Sequence, residues 1–360
     1  MESRIGGAER SMLLLIKHLH HQVDISVACP GTGPLSAELS SIQTDTYKLP
    51  QPPKHRYRSL LSLGYWLKTI CRLIRISLKT RPDIIHANSF YAGIASVAAA
   101  AVTGRKLIVH ARDTANLKFV SKICNCFSNK VIPVSRFVEN ALIENGINPD
   151  KIEVVYNGID SSSCRTAKPD RSSKLPFVFA NVGQFVPWKN QITFLQAAAL
   201  VSRNMPEARF MLIGDDIFEH NRDYKNSLLE HVKNSPIASK IEFTGWQENM
   251  EEVWQEIDCL VHTASKEPFG RVIIEAMVHK IPVIATDSGG PGEIIRNGKT
   301  GILVKDGDIE GLSETMLKVA VDKELAAGLA DAGYEQAVSN FTADRTASLI
   351  KQIYEQVLTS

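Results

Sequence analysis

Short runs rich in apolar and β-branched residues alternate with helix-forming segments along almost the whole chain. The first half carries such runs at residues 23–29, 83–88, 106–111, 130–135 and 152–157. A second series follows at residues 177–183, 209–215, 241–245, 259–264 and 282–285. Strands that alternate with helices favour a parallel, doubly wound sheet. The sequence therefore predicts an α/β protein with two sheets of this kind.

Length and composition suit two domains. The chain has 360 residues, of which 44% are hydrophobic and 22% are charged, as in ordinary globular proteins. Residues 160–176 are rich in Ser, Lys and Pro and poor in apolar side chains, which is typical of a connection between domains. We predict an N-terminal domain at residues 1–160, a linker at residues 161–176 and a C-terminal domain at residues 177–341.

Charge and cysteine usage argue against several functions. The formal net charge is only +2 and no nucleic-acid-binding motif is present, so the sequence does not indicate nucleic acid as a partner. The six cysteines lack metal-ligand spacing, and Asp215-Asp216 lacks a third carboxylate, so no metal site is predicted. Apolar runs stay well below the ~18 residues of a membrane span and no signal-peptide pattern occurs, which favours a cytoplasmic location.

Residues 265–293 contain the strongest functional signals. Glu267 lies in a Pro-Phe-Gly turn, and Glu275 follows eight residues later on a helix that we expect to begin near Gly270. The start of a helix offers free backbone N–H groups and the positive end of the helix dipole, which suits an anion such as a diphosphate. Carboxylates beside such an anion can accept hydrogen bonds from sugar hydroxyls.

The same stretch resembles a known site. An apolar strand at residues 282–285 runs into a Gly289-Gly290-Pro turn that ends in Glu293. Glycines there would let the backbone approach a ligand closely. Two glutamates with seven residues between them, then a strand and a Gly-Gly-Pro turn with a further glutamate, resemble the nucleotide-sugar site of the family 4 retaining glycosyltransferases of the GT-B fold. An ordinary helix–strand unit with surface carboxylates is the alternative explanation.

That resemblance implies a fold and an activity. It implies two Rossmann-like domains facing a cleft, with the C-terminal helix, residues 342–360, joined to the first domain. It implies a retaining transfer of a sugar from a nucleoside-diphosphate-sugar to a glycan, lipid-linked or small-molecule acceptor bound mainly by the first domain. No metal or other cofactor is expected. The family route is a front-face mechanism in which the leaving phosphate helps to deprotonate the acceptor.

The resemblance also implies roles for individual residues. Glu275 would accept hydrogen bonds from the ribose hydroxyls, Glu267 would accept them from the donor sugar, and His110 would orient that sugar. His110 and Glu267 are the catalytic candidates. Lys189 would hold the departing diphosphate, together with backbone N–H groups that include that of Gly290. The further donor-binding candidates are Gly6, Gly7, Gln184, Phe269, Gly270, Arg271 and Gly289.

One position departs from the family pattern. The turn after the first strand of the second domain carries a Gly-Arg pair in the family and, five residues past the arginine, a lysine. Here Lys189 matches, but Gln184 stands where the arginine is expected. Glutamine donates hydrogen bonds but has no charge, so this position supplies no cation to the diphosphate. Arg271, directly after Gly270, is the candidate that would supply it instead.

Polar residues stand at the carboxyl ends of the strands expected in the first domain. They are His86, His110, Ser135 and Asn157. Ligands of doubly wound sheets bind beyond these ends, so all four are site candidates by position. For His86 we favour the role of a hydrogen-bonded structural histidine.

Residues 56–81 are predicted to form a basic amphipathic helix. No acidic residue occurs between Thr46 and Pro82, and cations and apolar residues each recur at steps of four, three and four. The cations on one side are Lys68, Arg72, Arg75 and Lys79, and the apolar residues on the opposite side are Leu63, Leu67, Ile70 and Ile74. We expect the apolar side to pack on the sheet. Two roles stay open for the cations: a solvated surface, or contact with an acidic acceptor or anionic lipid, peripheral at the inner face of the membrane.

The N-terminus is short for this fold. Only residues 1–5 precede Gly6, too few for a strand of about five or six residues and its turn. The first strand of a doubly wound sheet is central, so we expect it to be missing and the strand at residues 23–29 to face a gap. The expectation from the sequence is that the chain starts inside the natural protein, or that an N-terminal rearrangement closes the gap.

Two rival functions remain open. An oxidoreductase with two Rossmann-like domains would need a Gly-x-Gly-x-x-Gly motif with an acidic residue about 20 positions later. Gly31-Thr32-Gly33 lacks the third glycine, which argues against that class. A non-catalytic nucleotide-sugar-binding protein, or a truncated inactive homologue, would account for Gln184 and the short N-terminus. A donor-hydrolysis assay distinguishes it from an active enzyme.

Overall fold

The computed structural model describes residues 5–31, 33–51, 60–114, 117–160 and 176–360. The chain divides into unit 1, which is Met1–Gly158 with Ala343–Ser360, and unit 2, which is Ile159–Thr342. The sequence predicted an N-terminal domain that ends at residue 160 and a C-terminal domain at residues 177–341, whereas unit 2 begins at Ile159 and ends at Thr342. The predicted linker falls outside the described residues, except for residue 176.

Unit 1 alternates helices with short strands. In chain order its elements are α1 (Gly7–Leu19), β1 (Ser26–Pro30), α2 (Pro34–Ser41), β2 (Asp45–Leu49), α3 (Leu60–Thr80), β3 (Ile84–Ala87), α4 (Phe90–Thr103), β4 (Lys106–Ala111), α5 (Leu117–Phe127), β5 (Lys130–Pro133), α6 (Arg136–Glu144) and, from the C-terminus, α14 (Ala343–Thr359). The strands form two separate parallel sheets, β1-β2 and β3-β4-β5.

The core of unit 1 packs its central strands against the first and last helices. Ile108 of β4 and Ile132 of β5 are fully buried in one cluster with Leu19 of α1 and with Ile350 and Ile353 of α14. Full burial of each such side chain contributes about 1.5–3 kcal/mol. The C-terminal helix α14 therefore belongs to unit 1, although the whole of unit 2 precedes it in the chain.

The sheets of unit 1 differ from the sequence prediction in two places. Residues 152–157 do not form a strand; they pair with β5 only through a bridge between Val131 and Ile152 and a few backbone hydrogen bonds. Strand β2 was not predicted. Among the described residues of this unit, no strand pairs with the second edge of β1 or of β3, in line with the gap expected beside residues 23–29.

The side chains buried by helix α3 differ from those expected from the sequence. Its buried side chains include Thr69 and Ser77, whereas Leu63 and Leu67 are 58% and 55% exposed. The expectation that these leucines pack on the sheet was wrong, because α3 packs on the alanine-rich helix α4 and leaves Leu63 and Leu67 exposed. Residues 56–59 of the predicted basic helix lie outside the described residues. Within the described part of the chain, no helix is long and apolar enough to cross a membrane.

Unit 2 holds one sheet of six parallel strands, in the order β11-β10-β9-β6-β7-β8. Its elements are β6 (Val178–Val182), α7 (Gln191–Asn204), β7 (Arg209–Ile213), α8 (Arg222–Lys233), β8 (Ile241–Gly245), α9 (Glu251–Glu256), β9 (Cys259–His262), α10 (Arg271–Val278), β10 (Val283–Thr286), α11 (Pro291–Ile294), β11 (Ile302–Val304), α12 (Ile309–Val321) and α13 (Lys323–Asn340). Phe179, Phe194 and Phe210 lie at the centre of its core.

Candidate active site

In unit 2 the candidate residues gather at the carboxyl ends of two neighbouring strands, β6 and β9. From this pair the sheet continues to β7 and β8 on one side and to β10 and β11 on the other, so the strand order reverses between them. Ligands of open parallel sheets bind at such a reversal. Lys189 follows β6 and Glu267 follows β9. The topology therefore brings together two residues that the sequence separates by 78 positions.

Glu267 and Lys189 form a buried ion pair. Lys189 Nζ lies 2.6 Å from Glu267 Oε2, and the two side chains are 15% and 8% exposed. His262, the last residue of β9, places Nε2 3.2 Å from the same oxygen. Burial alone would raise the pKa of Glu267, but the ammonium of Lys189 and the ring of His262 outweigh it and hold that pKa at about 2. The carboxylate is therefore ionised at neutral pH.

His262 was missed by the sequence analysis. Burial lowers its pKa below the usual value, although Glu267 acts in the opposite direction. It ends a strand, and the strand-end criterion that we applied only to the first domain would have found it. A neutral His262 lies beside Glu267 without adding charge to the pair.

The glycine-rich turn after β10 holds the backbone of Glu267. Glu267 N–H donates to the carbonyl of Ser288 at 3.1 Å, and Gly290 N–H donates to the carbonyl of Glu267 at 2.8 Å. A Cβ on Gly290 would lie 2.4 Å from the backbone of Phe269, so only glycine fits there. In the structure this N–H is donated to Glu267, and the expectation that Gly290 N–H holds the diphosphate stays a prediction.

Two further donor-binding candidates, Phe269 and Gly289, have roles in packing and in backbone geometry. The Phe269 ring is 3% exposed and meets the ring of Phe341 edge-on at 5.9 Å between centroids. Its ring therefore belongs to the core, and the donor contact expected at Phe269 stays a prediction. Gly289 has φ +86° and forms a bridge with Glu267. This φ lies in the left-handed region that favours glycine.

Helix α10 begins after Gly270, as the sequence predicted, and carries a second ion pair. Gly270 has φ +102°, in the left-handed region where glycine is favoured. Arg271 Nη2 lies 3.0 Å from Glu275 Oε1, and the side chains are 15% and 25% exposed. The four charged candidates of unit 2 thus form two pairs.

Gln184 lies in the turn that joins β6 to a short helical turn at Pro187–Lys189. Its backbone carbonyl accepts a hydrogen bond from Gln191 Nε2 at 2.9 Å. The N–H of the next residue, Phe185, donates to the carbonyl of Asp215 at 3.1 Å. The backbone of the turn is held on both sides, while the side chain of Gln184 is partly exposed. Within the described residues, no group of three or more His, Cys, Asp or Glu side chains is placed to hold a metal ion.

In unit 1, His110 lies in β4 within a buried polar cluster and is 2% exposed. Its Nδ1 is 3.3 Å from Nε2 of His86. Arg112 donates to Oδ1 of Asn88 at 2.6 Å and to Oδ1 of Asn157 at 2.8 Å. Burial, helped by the positive charge of Arg112, lowers the pKa of His86 to about 3 and that of His110 well below its usual value. Both rings are neutral at physiological pH.

The start of α1 lies next to this cluster. Gly7 is the first residue of the helix, Gly6 precedes it, and Gly6 N–H donates to Glu9 Oε2 at 3.1 Å. Asn88 Nδ2 donates to the carbonyl of Ala8 at 3.2 Å, which joins the two glycines to the surroundings of Arg112. Ser135 caps α6 by accepting from the N–H of Val138.

Comparison with known proteins identifies the family. The family described as "Glycosyl transferases group 1" matches residues 166–336, and "Glycosyltransferase Family 4" matches residues 5–163. An uncharacterized glycosyltransferase of Methanocaldococcus jannaschii is 30% identical over 260 residues, which cover 70% of this chain and 68% of that protein. The UDP-Gal:alpha-D-GlcNAc-diphosphoundecaprenol alpha-1,3-galactosyltransferase of Escherichia coli is 24% identical over 347 residues, with coverage of 89% and 86%.

A third relative is matched over a shorter length. The lipopolysaccharide core biosynthesis glycosyltransferase LpsE of Rhizobium meliloti is 29% identical over 194 residues, which cover 54% of this chain and 53% of the relative. The chain therefore spans about half the length of that relative.

Solved structures show the same fold. The crystal structure of Anabaena Alr3699/HepE in complex with UDP-glucose superimposes with a TM-score of 0.87, at 23% identity and coverage of 99% and 98%. Sucrose-phosphate synthase from Thermosynechococcus elongatus gives a TM-score of 0.82, at 19% identity and coverage of 99% and 95%. The fold class and the resemblance are both confirmed: the chain belongs to the family 4 glycosyltransferases of the GT-B fold.

Proposed function

We propose that this protein is a retaining glycosyltransferase that moves a sugar from a nucleoside-diphosphate donor, bound by unit 2, to an acceptor. The observation that carries the proposal is the buried pair of Glu267 and Lys189 beside the reversal of strand order. A nucleotide-sugar site needs oxygen acceptors for sugar hydroxyls and a cation for the diphosphate. The pair supplies one of each.

Donor binding would exchange the partners of this pair. In the structure, Lys189 neutralises Glu267. A diphosphate carries more negative charge than one carboxylate, so Lys189 would turn to it. Glu267 would then accept hydrogen bonds from the donor sugar, while its backbone bonds to Ser288 and Gly290 keep it in place. Negative charge accumulates on the leaving phosphate as the glycosidic bond breaks, so a cation there lowers the barrier.

The second pair would open in the same way. Glu275 would accept hydrogen bonds from the ribose hydroxyls and release Arg271, which lies 3.0 Å away. The freed guanidinium would supply the diphosphate with the charge that Gln184 lacks. Gly270, in the left-handed conformation that starts α10, would bring the N–H groups of the first helical turn to the same anion.

Retention follows from a front-face route. The bond from the sugar C1 to the leaving phosphate oxygen breaks while the acceptor oxygen bonds to C1 on the same face. The acceptor proton passes to an oxygen of the leaving nucleoside diphosphate. Charge and protons are conserved in this step, and the step as written uses no protein nucleophile, metal ion or other cofactor.

The names of the relatives suggest substrates. The E. coli relative is named for UDP-Gal and a sugar carried on diphosphoundecaprenol, and HepE was crystallised with UDP-glucose. We therefore propose a UDP-sugar as donor and a lipid-linked or other glycan acceptor, as in polysaccharide biosynthesis.

The surface of α3 supports a peripheral membrane role. A groove of about 520 Å³ separates part of α3 from the end of β2. It is lined by Lys48, Leu49, Pro50, Leu67, Lys68, Cys71, Arg72 and Arg75. Leu63 and Leu67 are exposed close to these cations. Exposed leucines beside lysines and arginines suit the boundary between anionic headgroups and acyl chains.

Binding of labelled UDP-, GDP- and ADP-sugars tests the donor assignment. We expect one series to bind and Lys189→Ala to weaken it by about 5–150-fold, the equivalent of ~1–3 kcal/mol for a lost buried partner. Lys280→Ala is the matched control, since Lys280 pairs with Asp331 at 2.8 Å on the exposed surface of unit 2. Failure of all three series to bind would contradict the proposal. Binding without donor hydrolysis or transfer would favour the non-catalytic alternative.

A further inference from the structure

Four side chains in unit 1 form a continuous line of polar contacts. Tyr354 of α14 places its hydroxyl oxygen 2.6 Å from Nδ1 of His86. His86 Nε2 lies 3.3 Å from Nδ1 of His110, and the planes of the two rings are inclined by only 25°. Arg112 brings Nη2 to 3.4 Å from the same Nδ1 of His110. Two groups therefore face one nitrogen of His110.

Arg112 fixes the direction of every hydrogen bond in this line. Arginine has only donors and stays charged, so Nδ1 of His110 must accept and cannot carry a proton. His86 Nε2 must then carry a proton and donate it to His110. Nδ1 of His86 is left to accept from the hydroxyl of Tyr354, whose pKa is raised by burial, so this hydroxyl stays protonated.

The surroundings keep both histidines neutral and hold the guanidinium of Arg112 in place. A doubly protonated ring on His86 or His110 would place an N–H against another donor. Burial and the charge of Arg112 disfavour that state, as the lowered pKa of both histidines reflects. Asn88 and Asn157 accept from the guanidinium at 2.6 and 2.8 Å and hold it in place.

The remaining nitrogen of His110 is a donor that the fold leaves unused. A neutral imidazole with no proton on Nδ1 carries its proton on Nε2. His110 Nε2 is buried and has no hydrogen-bond partner among the described residues. His110 lines a small cavity, together with Ser11, Asn157 and Thr346. Buried N–H groups are normally hydrogen-bonded, so an unpaired one marks a place for an acceptor atom.

We propose that Arg112 is a positioning residue that holds His110 in the Nε2–H tautomer, so that His110 donates a hydrogen bond to an oxygen of a bound substrate and cannot act there as a base. The tautomer itself follows from unit 1 alone. The identity of the oxygen rests on the proposed function.

Long-range ¹H–¹⁵N NMR of the full, ligand-free chain reads the tautomer directly. We expect both His86 and His110 to show a protonated Nε2 and an unprotonated Nδ1. Arg112→Met should convert His110 to a mixture of tautomers, because the hydrogen bond between His86 and His110 can then be donated from either ring. Arg112→Lys, which keeps a charged donor, should restore the single form. Arg222→Met removes an exposed guanidinium from unit 2 and should change neither ring.

A proton on Nδ1 of His110 in the wild type would overturn the proposal, as would an Arg112→Met variant that keeps the single Nε2–H form. If Arg112→Met does not fold, the wild-type and Arg112→Lys spectra still decide the tautomer. Addition of UDP-glucose, but not of UDP alone, should shift the Nε2–H signal of His110. The ligand-free spectrum requires no enzymatic activity, so it tests the tautomer of His110 independently of the proposed transferase function.

Discussion

The buried ion pair between Lys189 and Glu267 predicts a large loss of stability when only its cation is removed. Lys189→Met keeps most of the side-chain volume but deletes the charge 2.6 Å from Glu267 Oε2. Glu267, whose side chain is 8% exposed, would then hold a buried carboxylate without its ammonium partner. Removal of one partner from a buried pair typically costs ~3–5 kcal/mol.

The pKa of Glu267 gives a second estimate of how much the ionised carboxylate contributes to the free energy of unfolding. It lies at about 2, against an ordinary value of 4.5. At about 1.4 kcal/mol for each tenfold step, the ionised carboxylate stabilises the fold by ~3 kcal/mol at neutral pH. Because the folded-state pKa is below the unfolded value, this contribution is complete above about pH 4.5 and is lost as the pH falls towards 2. We therefore expect Lys189→Met to lower the free energy of unfolding by ~3 kcal/mol at pH 7, and by less within that acidic window.

Urea unfolding followed by tryptophan fluorescence measures this loss. Trp188 is a local reporter, since its ring centroid lies 4.6 Å from Lys189 Nζ. The double variant Lys189→Met with Glu267→Gln removes both charges and should recover much of the stability. Lys280→Met breaks an exposed pair and should change little. If Lys189→Met unfolds at the same urea concentration as the wild type at pH 7, the reasoning about the buried pair is refuted.

The remaining predictions concern the donor and the membrane. Glu275→Ala should weaken donor binding by ~1–3 kcal/mol, because a hydrogen-bond acceptor is lost; wild-type affinity by calorimetry would contradict its role. Gln184→Arg should tighten binding of the nucleoside diphosphate by adding a cation, and unchanged or weaker binding would point to Arg271 as its replacement. Sedimentation of the protein with anionic vesicles should fall as salt rises, since exposed charges on α3 are screened over about 8–10 Å; equal binding to neutral vesicles would count against this role.

Strands buried on both faces were the most predictable part of the fold. The run at residues 106–111 became β4 with the same limits, because consecutive apolar side chains suit a strand covered on both faces. Strand β2, Asp45–Leu49, is an edge strand with exposed polar side chains, so its sequence carries little apolar signal. Residues 152–157 have the apolar signal but form too few ladder bonds with β5 to become a strand.

In the candidate site, too, the sequence predicted local features but not the contacts between distant segments. Spacing and turn chemistry identified Glu267, Glu275 and Lys189, because those features are local in sequence. The pairing of Glu267 with Lys189 depends on β6 and β9 being neighbours, and a single sequence does not reveal strand order. The use of Gly290 N–H by the Glu267 carbonyl could not be foreseen for the same reason, since it joins two loops across the sheet edge.

Turnover of a nucleotide sugar tests the central claim most directly. The wild-type protein and its Glu267→Gln variant would be incubated with the donor that binds and with a lipid-linked glycan acceptor, and the anomeric configuration of the product would be read by NMR. The account predicts a glycoside with the configuration of the donor, formed by the wild type and strongly reduced in the variant. A product of inverted configuration, or an unchanged rate in Glu267→Gln, would contradict it.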